Sequence, residues 1–485
     1  MDFYNLELKM RDCFNGMVVY KNPQTNKLFS SLGLPSFMRD WLVMRFSSKE
    51  GELKLGEMQR YINTTIPAKH QWEALKGGMI NSGQTVRILA KIRVRFDVST
   101  GMALYELPDF AFPSKKFEAV IDSMLIRDPY QRESLLREQE CWGVLELNWR
   151  YILVNAREVG SVVLTGFKPF QPYAVDLNYF QEVRSKFTLE EWINCLLAGI
   201  DYNPAGFTSS RQKYTMLCRL LPFVEKRLNL IELAPKGTGK SYLYSQLSKY
   251  GWLVSGGSIT RARLFYDVAS KTPGLISRHD FVTLDEIQSI SFSNEEEIRG
   301  ALKGYLESGE YRVADYHGVS DSGFVLLGNI NKRLMDDNAE MFSELPHVFH
   351  ESALLDRFHG FIRGWDIPRM KEDMKATGWA FNTEYLSAIF HELRNDIRYR
   401  AWVDAHLDVP SSADGRDTEA IKRIFTALLK LLFPHVVLGV TPPLNEIQEL
   451  GLNVAKSMRL IIRKQLSLLD PEYRAEIPQI ELLFG

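Results

Sequence analysis

The residues best placed to do chemistry are Ala234-Pro235-Lys236-Gly237-Thr238-Gly239-Lys240-Ser241. They follow the apolar run Leu228-Asn229-Leu230-Ile231-Glu232-Leu233 and precede a helical pattern over 242–249. A buried strand running through a glycine-rich loop into a helix turns a row of backbone N–H groups toward an anion. Gly237 and Gly239 let that backbone come close, and Lys240 supplies a cation for phosphate oxygens. The Ser241 hydroxyl suits a hard divalent ion. The pattern GxxxxGK[ST] has glycine at its first position, where this chain has Ala234. Alanine fits there if its φ is negative.

A second group lies about 45 residues downstream of Lys240. Phe281-Val282-Thr283-Leu284-Asp285-Glu286 is a short apolar strand ending in two acids. A strand of this kind is expected beside the loop strand, with Asp285 near Mg²⁺ and Glu286 near the γ-phosphate of ATP, polarising the attacking water. Gly323 to Asn329 is a further buried strand, and Asn329 stands where a sensor amide would hold that water; capping of the next turn is the alternative. In Leu354-Leu355-Asp356-Arg357-Phe358, Arg357 is a candidate arginine finger toward a neighbouring subunit's γ-phosphate. A salt bridge with Asp356 or Glu351 is its alternative. Arg416 and Arg423 are candidates for a second sensor, or else solvated helix charges. Four pieces in this order over about 120 residues predict an AAA+ ATPase using ATP and Mg²⁺. A finger that crosses between subunits implies a ring, commonly a hexamer.

The elements that must position these groups divide into three expected domains. Residues 1–170 have the look of a β-rich domain. Val86, Ile88, Ala90, Ile92, Val94 and Phe96 alternate with Arg87, Lys91, Arg93, Arg95 and Asp97, which is a strand's period of two. Ser99-Thr100-Gly101 supplies a turn, Met102 to Leu107 the returning strand, and runs at 143–149 and 161–167 more β structure, as in a small OB-like barrel or a sandwich. Lys168-Pro169-Phe170-Gln171-Pro172 reads as a linker. Residues 171–370 form the expected α/β AAA+ core, opening with Thr188 as a helix cap and Glu191 three residues on. Residues 371–485 form a helical lid, with helices expected over 385–398, 418–432 and 445–466.

Composition limits the rest. The chain has 485 residues, 45% hydrophobic and 25% charged, which is ordinary for a globular protein of several domains. Its net charge of −1 provides no global field for nucleic acid, so any such contact needs a local basic surface. Cys13, Cys141, Cys195 and Cys218 lack metal-ligand spacing and read as buried reduced thiols. Without a run of about 18 apolar residues or a signal sequence, a cytoplasmic protein with no membrane span is expected.

Two local basic features do occur. Arg87, Lys91, Arg93 and Arg95 share one strand face, a footprint for nucleic acid or else a solvated face paired with acids. Residues 307–323 read as a β-hairpin just before the Asn329 strand, with its tip near Tyr316, His317 and Gly318. Helicase-related AAA+ proteins carry a hairpin there that projects into the ring pore. Arg312, Tyr316 and His317 suit phosphate contact and base stacking.

Here the chain resembles a known family. Phe187-Thr188-Leu189-Glu190-Glu191-Trp192, the loop 233–241, Val254-Ser255-Gly256-Gly257, Asp356-Arg357-Phe358-His359-Gly360 and Gly364-Trp365-Asp366-Ile367-Pro368 look like BrxL, the Lon-protease-like AAA+ family of BREX phage-defence systems. The resemblance covers roughly residues 180–470. It implies an ATP-dependent ring that binds double-stranded DNA, related in its motor to MCM helicases and acting against phage DNA; ring stacking, encircling against translocation, and a role for other defence proteins stay open. Ala234 departs from the glycine usual in that family's loop. Many members continue into a Lon-protease-like domain, whereas residues 471–485 are too few to hold a Ser–Lys dyad, so no peptidase activity is expected of this chain. An AAA+ protein-remodelling chaperone or unfoldase is the alternative, as is an ATP-binding scaffold with slow turnover.

Overall fold

A computed structural model describes residues 3–23, 29, 34–48, 52–136, 140–269 and 271–483. Contacts divide it into two compact units: residues 45–172, and residues 1–44 together with 173–485. Among the described residues no helix is long and apolar enough to cross a membrane.

A first helix, Phe3–Cys13, and β1 (Val18–Lys21) precede the smaller unit. That unit is a closed barrel of β2 (Val86–Asp97), β3 (Met102–Glu106), β4 (Ala119–Ile121), β5 (Cys141–Val154) and β6 (Arg157–Pro169). The strand order is β2-β3-β4-β6-β5, with β2 also pairing β5. All neighbours are antiparallel except β4 and β6. The expected inward face of β2 forms, with Val86, Ile88, Ala90 and Ile92 in the barrel core, but Leu89, on the face of Arg87 and Lys91, is buried as well. Phe96 departs from that inward face, at 49% exposed, because the strand has there run out to its turn. Asp97 Oδ1 accepts the Thr100 N–H at 3.1 Å, and Gly101 takes φ +69°. The unit also holds helices that the β-rich expectation missed, among them Trp72–Ser82, whose Trp72 and Met79 enter the barrel core.

The larger unit is mixed α/β. Its strands are β7 (Leu230–Ala234), β8 (Gly251–Ile259), the short β9 (Tyr266–Asp267) and β10 (Thr272–Pro273), β11 (Phe281–Phe292), β12 (Glu310–Val313), β13 (Tyr316–Val319), β14 (Gly323–Asn329), β15 (Gly360–Arg363) and β16 (Gly378–Phe381). Five of them form a parallel sheet in the order β15-β7-β14-β11-β8. Every residue of β7 is buried, as a parallel strand covered on both faces requires. The acid-pair strand β11 was expected beside the loop strand β7. Instead β14, buried from Gly323 to Gly328, lies between them, pairing Val325 with Leu230 and Val282 with Phe324.

Thr188 and Glu191 form the expected capping box, with Thr188 N–H to Glu191 Oε2 at 2.9 Å and the reverse bond at 3.2 Å. The C-terminal helices are Thr383–Leu393, Arg398–His406, Gly415–Leu432 and Asn453–Leu469. The helix expected over 445–466 forms, opening at Leu444–Ile447 and passing through a π-helical turn at Gln448–Leu452, where Gly451 packs against the Phe425 ring.

Residues 1–44, expected with the barrel, pack instead in the larger unit. β1 pairs β16, Val18 opposite Phe381 and Lys21 opposite Gly378. Phe14 is fully buried, with its ring 4.7 Å from Phe381 and about 6.2 to 6.4 Å from Phe180, Phe187 and Trp192. Phe14→Ala is expected to destabilise the larger unit by about 3–5 kcal/mol in urea denaturation, the cost of an unfilled aromatic site.

Candidate phosphate-binding site

β7 delivers the loop. Ala234 ends the strand in extended pairing, so its missing glycine costs nothing there, and its Cβ packs against Gly364. Gly237 and Gly239 adopt φ +84° and +77°, the left-handed region that favours glycine. A Cβ on Gly239 would collide with the Tyr202 hydroxyl. The Gly237 carbonyl accepts the Met370 N–H at 2.8 Å, and the Arg369 Nε would stand 3.0 Å from a Cβ on Gly237. Arg369 is therefore an exposed cation against the loop, and nothing in its local pattern singled it out.

Beneath the loop lies an ion pair that sequence reading also missed. Glu232, in mid-strand, and Arg219 are both fully buried, with Arg219 Nη2 2.5 Å from Glu232 Oε1. The same guanidinium donates to the Thr238 carbonyl at 2.7 Å and to its hydroxyl at 3.1 Å. Burial works against the Arg219 charge, but the Glu232 carboxylate outweighs it and raises the guanidinium's pKa. Glu232 was legible only as one polar residue in an apolar strand.

The sheet brings the loop lysine to the strand-end groups. Lys240 Nζ donates to Asn329 Oδ1 at 3.0 Å. Burial lowers the Lys240 pKa, opposed by Glu232, Asp285 and Glu286. Asp285 is buried and its Oδ1 accepts the Glu286 N–H at 2.9 Å. Glu286 is exposed at φ +51°, where the β11–β8 register slips between Asp285 and Ile290. A bulge with left-handed backbone is costly and re-aims a side chain, and here it turns Glu286 outward from the strand. Gln288, another residue the sequence did not flag, clasps Asn329: its Nε2 donates to the Asn329 carbonyl at 2.7 Å and its Oε1 accepts the Asn329 N–H at 3.2 Å. Ser241 is exposed at the start of the helix Lys240–Gln246.

The arginines read as finger and sensors are engaged elsewhere, Arg357 and Arg416 through a shared carboxylate and Arg423 through partners of its own. Arg357 Nε lies 2.8 Å from Glu307 Oε2, a partner neither Asp356 nor Glu351. Arg416 pairs with the same Glu307 at 3.1 Å and with Asp356 at 3.0 Å. Arg423 pairs with Glu419 at 2.5 Å and donates to the Lys226 carbonyl at 2.7 Å.

The hairpin forms, but its turn is Ala314-Asp315, not the expected Tyr316-His317-Gly318. Val313 pairs with Tyr316, leaving two residues to close the loop, and Ala314 takes φ +51°. Gly318 is needed within β13 instead, because the Tyr311 ring covers it. Arg312 sits directly opposite His317, both exposed. Tyr316 stacks on Tyr266 with ring centroids 3.7 Å apart.

On the barrel, the four basic side chains of β2 meet acids: Arg87 pairs with Glu146, Lys91 with Glu140 at 3.7 Å, Arg93 with Glu140 at 2.8 Å and Glu106 at 3.1 Å, and Arg95 with Glu106 at 3.6 Å. Cys195 and Cys218 are buried, whereas Cys13 and Cys141, expected inside, are only half-buried. Burial pushes the Cys218 thiol up to about 12.

Arg219→Met would leave the Glu232 charge buried alone, with an expected loss of about 3–5 kcal/mol in urea denaturation. Adding Glu232→Leu should restore most of that stability, and a double variant as unstable as the single one would count against the pairing.

Residues 162–479 match the family described as Lon-like protease BrxL-like, ATPase domain, and residues 12–149 match the BREX system Lon protease-like protein BrxL N-terminal region. The chain is 27% identical over 437 residues to the Lon-like protease BrxL of Escherichia coli O9:H4 (strain HS), covering 89% of this chain and 61% of that protein. It is 26% identical over 439 residues to the Lon-like protease BrxL of Bacillus cereus (strain H3081.97), covering 89% and 63%. The chain thus spans about three fifths of the length of these curated relatives. With more than half of its residues matched to the family's ATPase domain, over a stretch that contains the loop and strands just described, the chain belongs to the BrxL family of BREX phage-defence proteins.

Proposed function

We propose that this chain is an AAA+ ATPase that binds Mg²⁺ and ATP at the 234–241 loop and works as a cytoplasmic ring on double-stranded DNA in BREX defence, alongside other defence proteins. The observation that carries the nucleotide assignment is the meeting of Lys240 and Asn329 at 3.0 Å, with Asp285 and Glu286 close enough to act on the Lys240 charge. The strand order β15-β7-β14-β11-β8 supports the AAA+ class, in which the sensor strand separates the loop strand from the acid-pair strand. The helices of residues 383–469 are then its lid. A closed five-stranded barrel with one parallel pairing supports an OB-like smaller unit.

The donor set fits the groups assigned to it. Two left-handed glycines leave the loop without side chains where phosphates would lie, and a buried carboxylate together with an exposed serine hydroxyl at the helix start are oxygen donors of the kind a hard cation takes. Mg²⁺ in such a site neutralises charge on the phosphoryl oxygens. Ser241 and Asp285 would hold it. Lys240 binds the β/γ oxygens, Asn329 orients the attacking water, and Glu286, swung out at the bulge, takes its proton. Arg357 acts across a subunit boundary, exchanging its Glu307 partner for a neighbour's γ-phosphate. Arg416 shares Glu307 and so would register that exchange.

DNA contact is assigned to the β12–β13 hairpin. Its exposed Arg312 and His317 lie side by side, and the Tyr266–Tyr316 stack stiffens it from behind. The basic face of β2 is a weaker candidate, since phosphates would have to displace Glu106, Glu140 and Glu146.

Lys240→Ala should abolish nucleotide binding. Glu286→Gln should bind ATP and hydrolyse it about 10²–10⁴-fold more slowly, as loss of a general base predicts. Arg357→Ala should also bind, with turnover down about 10³-fold or more, and undiminished turnover would remove the finger. Duplex DNA should stimulate hydrolysis in a salt-sensitive way, and Arg312→Glu should lose that stimulation. Stimulation by unfolded polypeptide with none by DNA would replace this substrate with protein.

A further inference from the structure

Lys21, Arg39 and Asp40 contribute to a buried cluster of charges in the larger unit. One oxygen of Asp201, Oδ1, accepts from Lys21 Nζ at 2.7 Å and from Arg39 Nη2 at 2.7 Å. The other, Oδ2, accepts the Tyr242 hydroxyl at 2.7 Å. Asp40 balances the charge, 3.2 Å from Lys21 and 2.8 Å from Arg39, and takes the Thr383 hydroxyl at 2.6 Å. Lys21 also reaches the Gly199 carbonyl at 2.7 Å. The side chains of Lys21, Arg39, Asp40 and Asp201 are each 6% exposed or less. Two cations and two anions taken out of water are expensive to assemble, and a device that expensive holds its members in one arrangement. Asp201 itself has φ +73°, a conformation kept only where the surroundings over-determine it.

Two contacts lead from this cluster to the phosphate loop. Tyr242 directly follows Ser241 in the helix that begins at Lys240. Tyr202, next to Asp201, sets its hydroxyl 3.4 Å from the Gly239 carbonyl and closes the space beside that glycine. One rigid turn therefore touches the loop before Lys240 and the helix after Ser241.

We propose that Asp201, with Lys21 and Arg39, positions the phosphate loop, gripping Tyr242 so that Lys240 and Ser241 are presented to Mg²⁺ and ATP in one orientation. The role rests on the ATPase function proposed above. Asp201 acts through Tyr242 and Tyr202 and touches no reacting atom.

Hydrolysis of ATP over a range of Mg²⁺ concentrations and binding of a fluorescent ATP analogue are measured for the parent chain, Tyr242→Phe, Asp201→Asn and Lys240→Ala. Tyr242→Phe removes one hydroxyl from a side chain that is partly exposed, so the fold survives. It should raise KM and Kd roughly three- to tenfold with kcat within about twofold, because the hydroxyl's hydrogen bonds to Asp201, Ser36 and Arg39 are lost but reach the site only through the helix. The Mg²⁺ concentration giving half the maximal rate should rise with it. Asp201→Asn, which tolerates positive φ, should show a larger rise and a lower melting temperature. Should Tyr242→Phe keep the parent's KM, Kd and Mg²⁺ dependence, the cluster only stabilises the fold and the positioning role is wrong. That result, with an active parent and an inactive Lys240→Ala, leaves the ATPase assignment standing, whereas a parent that binds no ATP overturns both.

Discussion

Glu232 occupies the middle of β7 with no exposed surface, and a carboxylate there is tolerable only because Arg219 meets it. The guanidinium has donors to spare, and it spends them on the Thr238 carbonyl and hydroxyl. A charge that must be satisfied in the core thus fixes the backbone of a loop at the surface. Lys240, two residues further on, inherits that placement and meets Asn329. Replacing the pair with apolar residues would keep the strand buried but leave the loop without this tie. The interaction is therefore better explained by the geometry it imposes than by net stability.

The strand order extends the same logic. With β14 between β7 and β11, the loop and the amide of Asn329 emerge from two adjacent strand ends, and the two acids lie just past the last β11–β14 pair, Leu284 with Leu326. Gln288 then ties the Asn329 backbone to β11 just beyond the bulge. Lysine, amide and carboxylates are spaced by the sheet itself, and only Glu286 departs from regular strand geometry.

How much of this was legible in the sequence depended on range. The loop, the strand ending at Asn329 and the capping box of Thr188 and Glu191 are local patterns, and each forms as its spacing predicts; the strand of the acid pair forms too, but it runs on past the bulge to Phe292 instead of ending at Glu286. The inward face of β2 is likewise local and holds until Phe96. What escaped was non-local. Which strand lies beside β7, which cation answers Glu232, and which residue clasps Asn329 are decided by residues in different elements, 13 positions apart for Arg219 and Glu232 and 41 for Gln288 and Asn329. Residues 1–44 carried too weak a pattern to show that Phe14 and β1 complete a core built mostly after residue 173. The hairpin turn was misplaced for a simpler reason. Gly318 looked like turn chemistry, but it is there to admit the Tyr311 ring.

The pairing of β1 with β16 also has a consequence for how the chain is made. Val18 cannot find Phe381 until more than 360 residues have left the ribosome. The barrel, whose residues 45–172 lie wholly between those partners, is synthesised in full long before then. Synthesis therefore delivers the whole barrel segment while the strand ahead of it still waits for its mate. Once formed, the barrel shortens the effective loop that β1 must close, because its own chain no longer contributes conformational freedom to that closure.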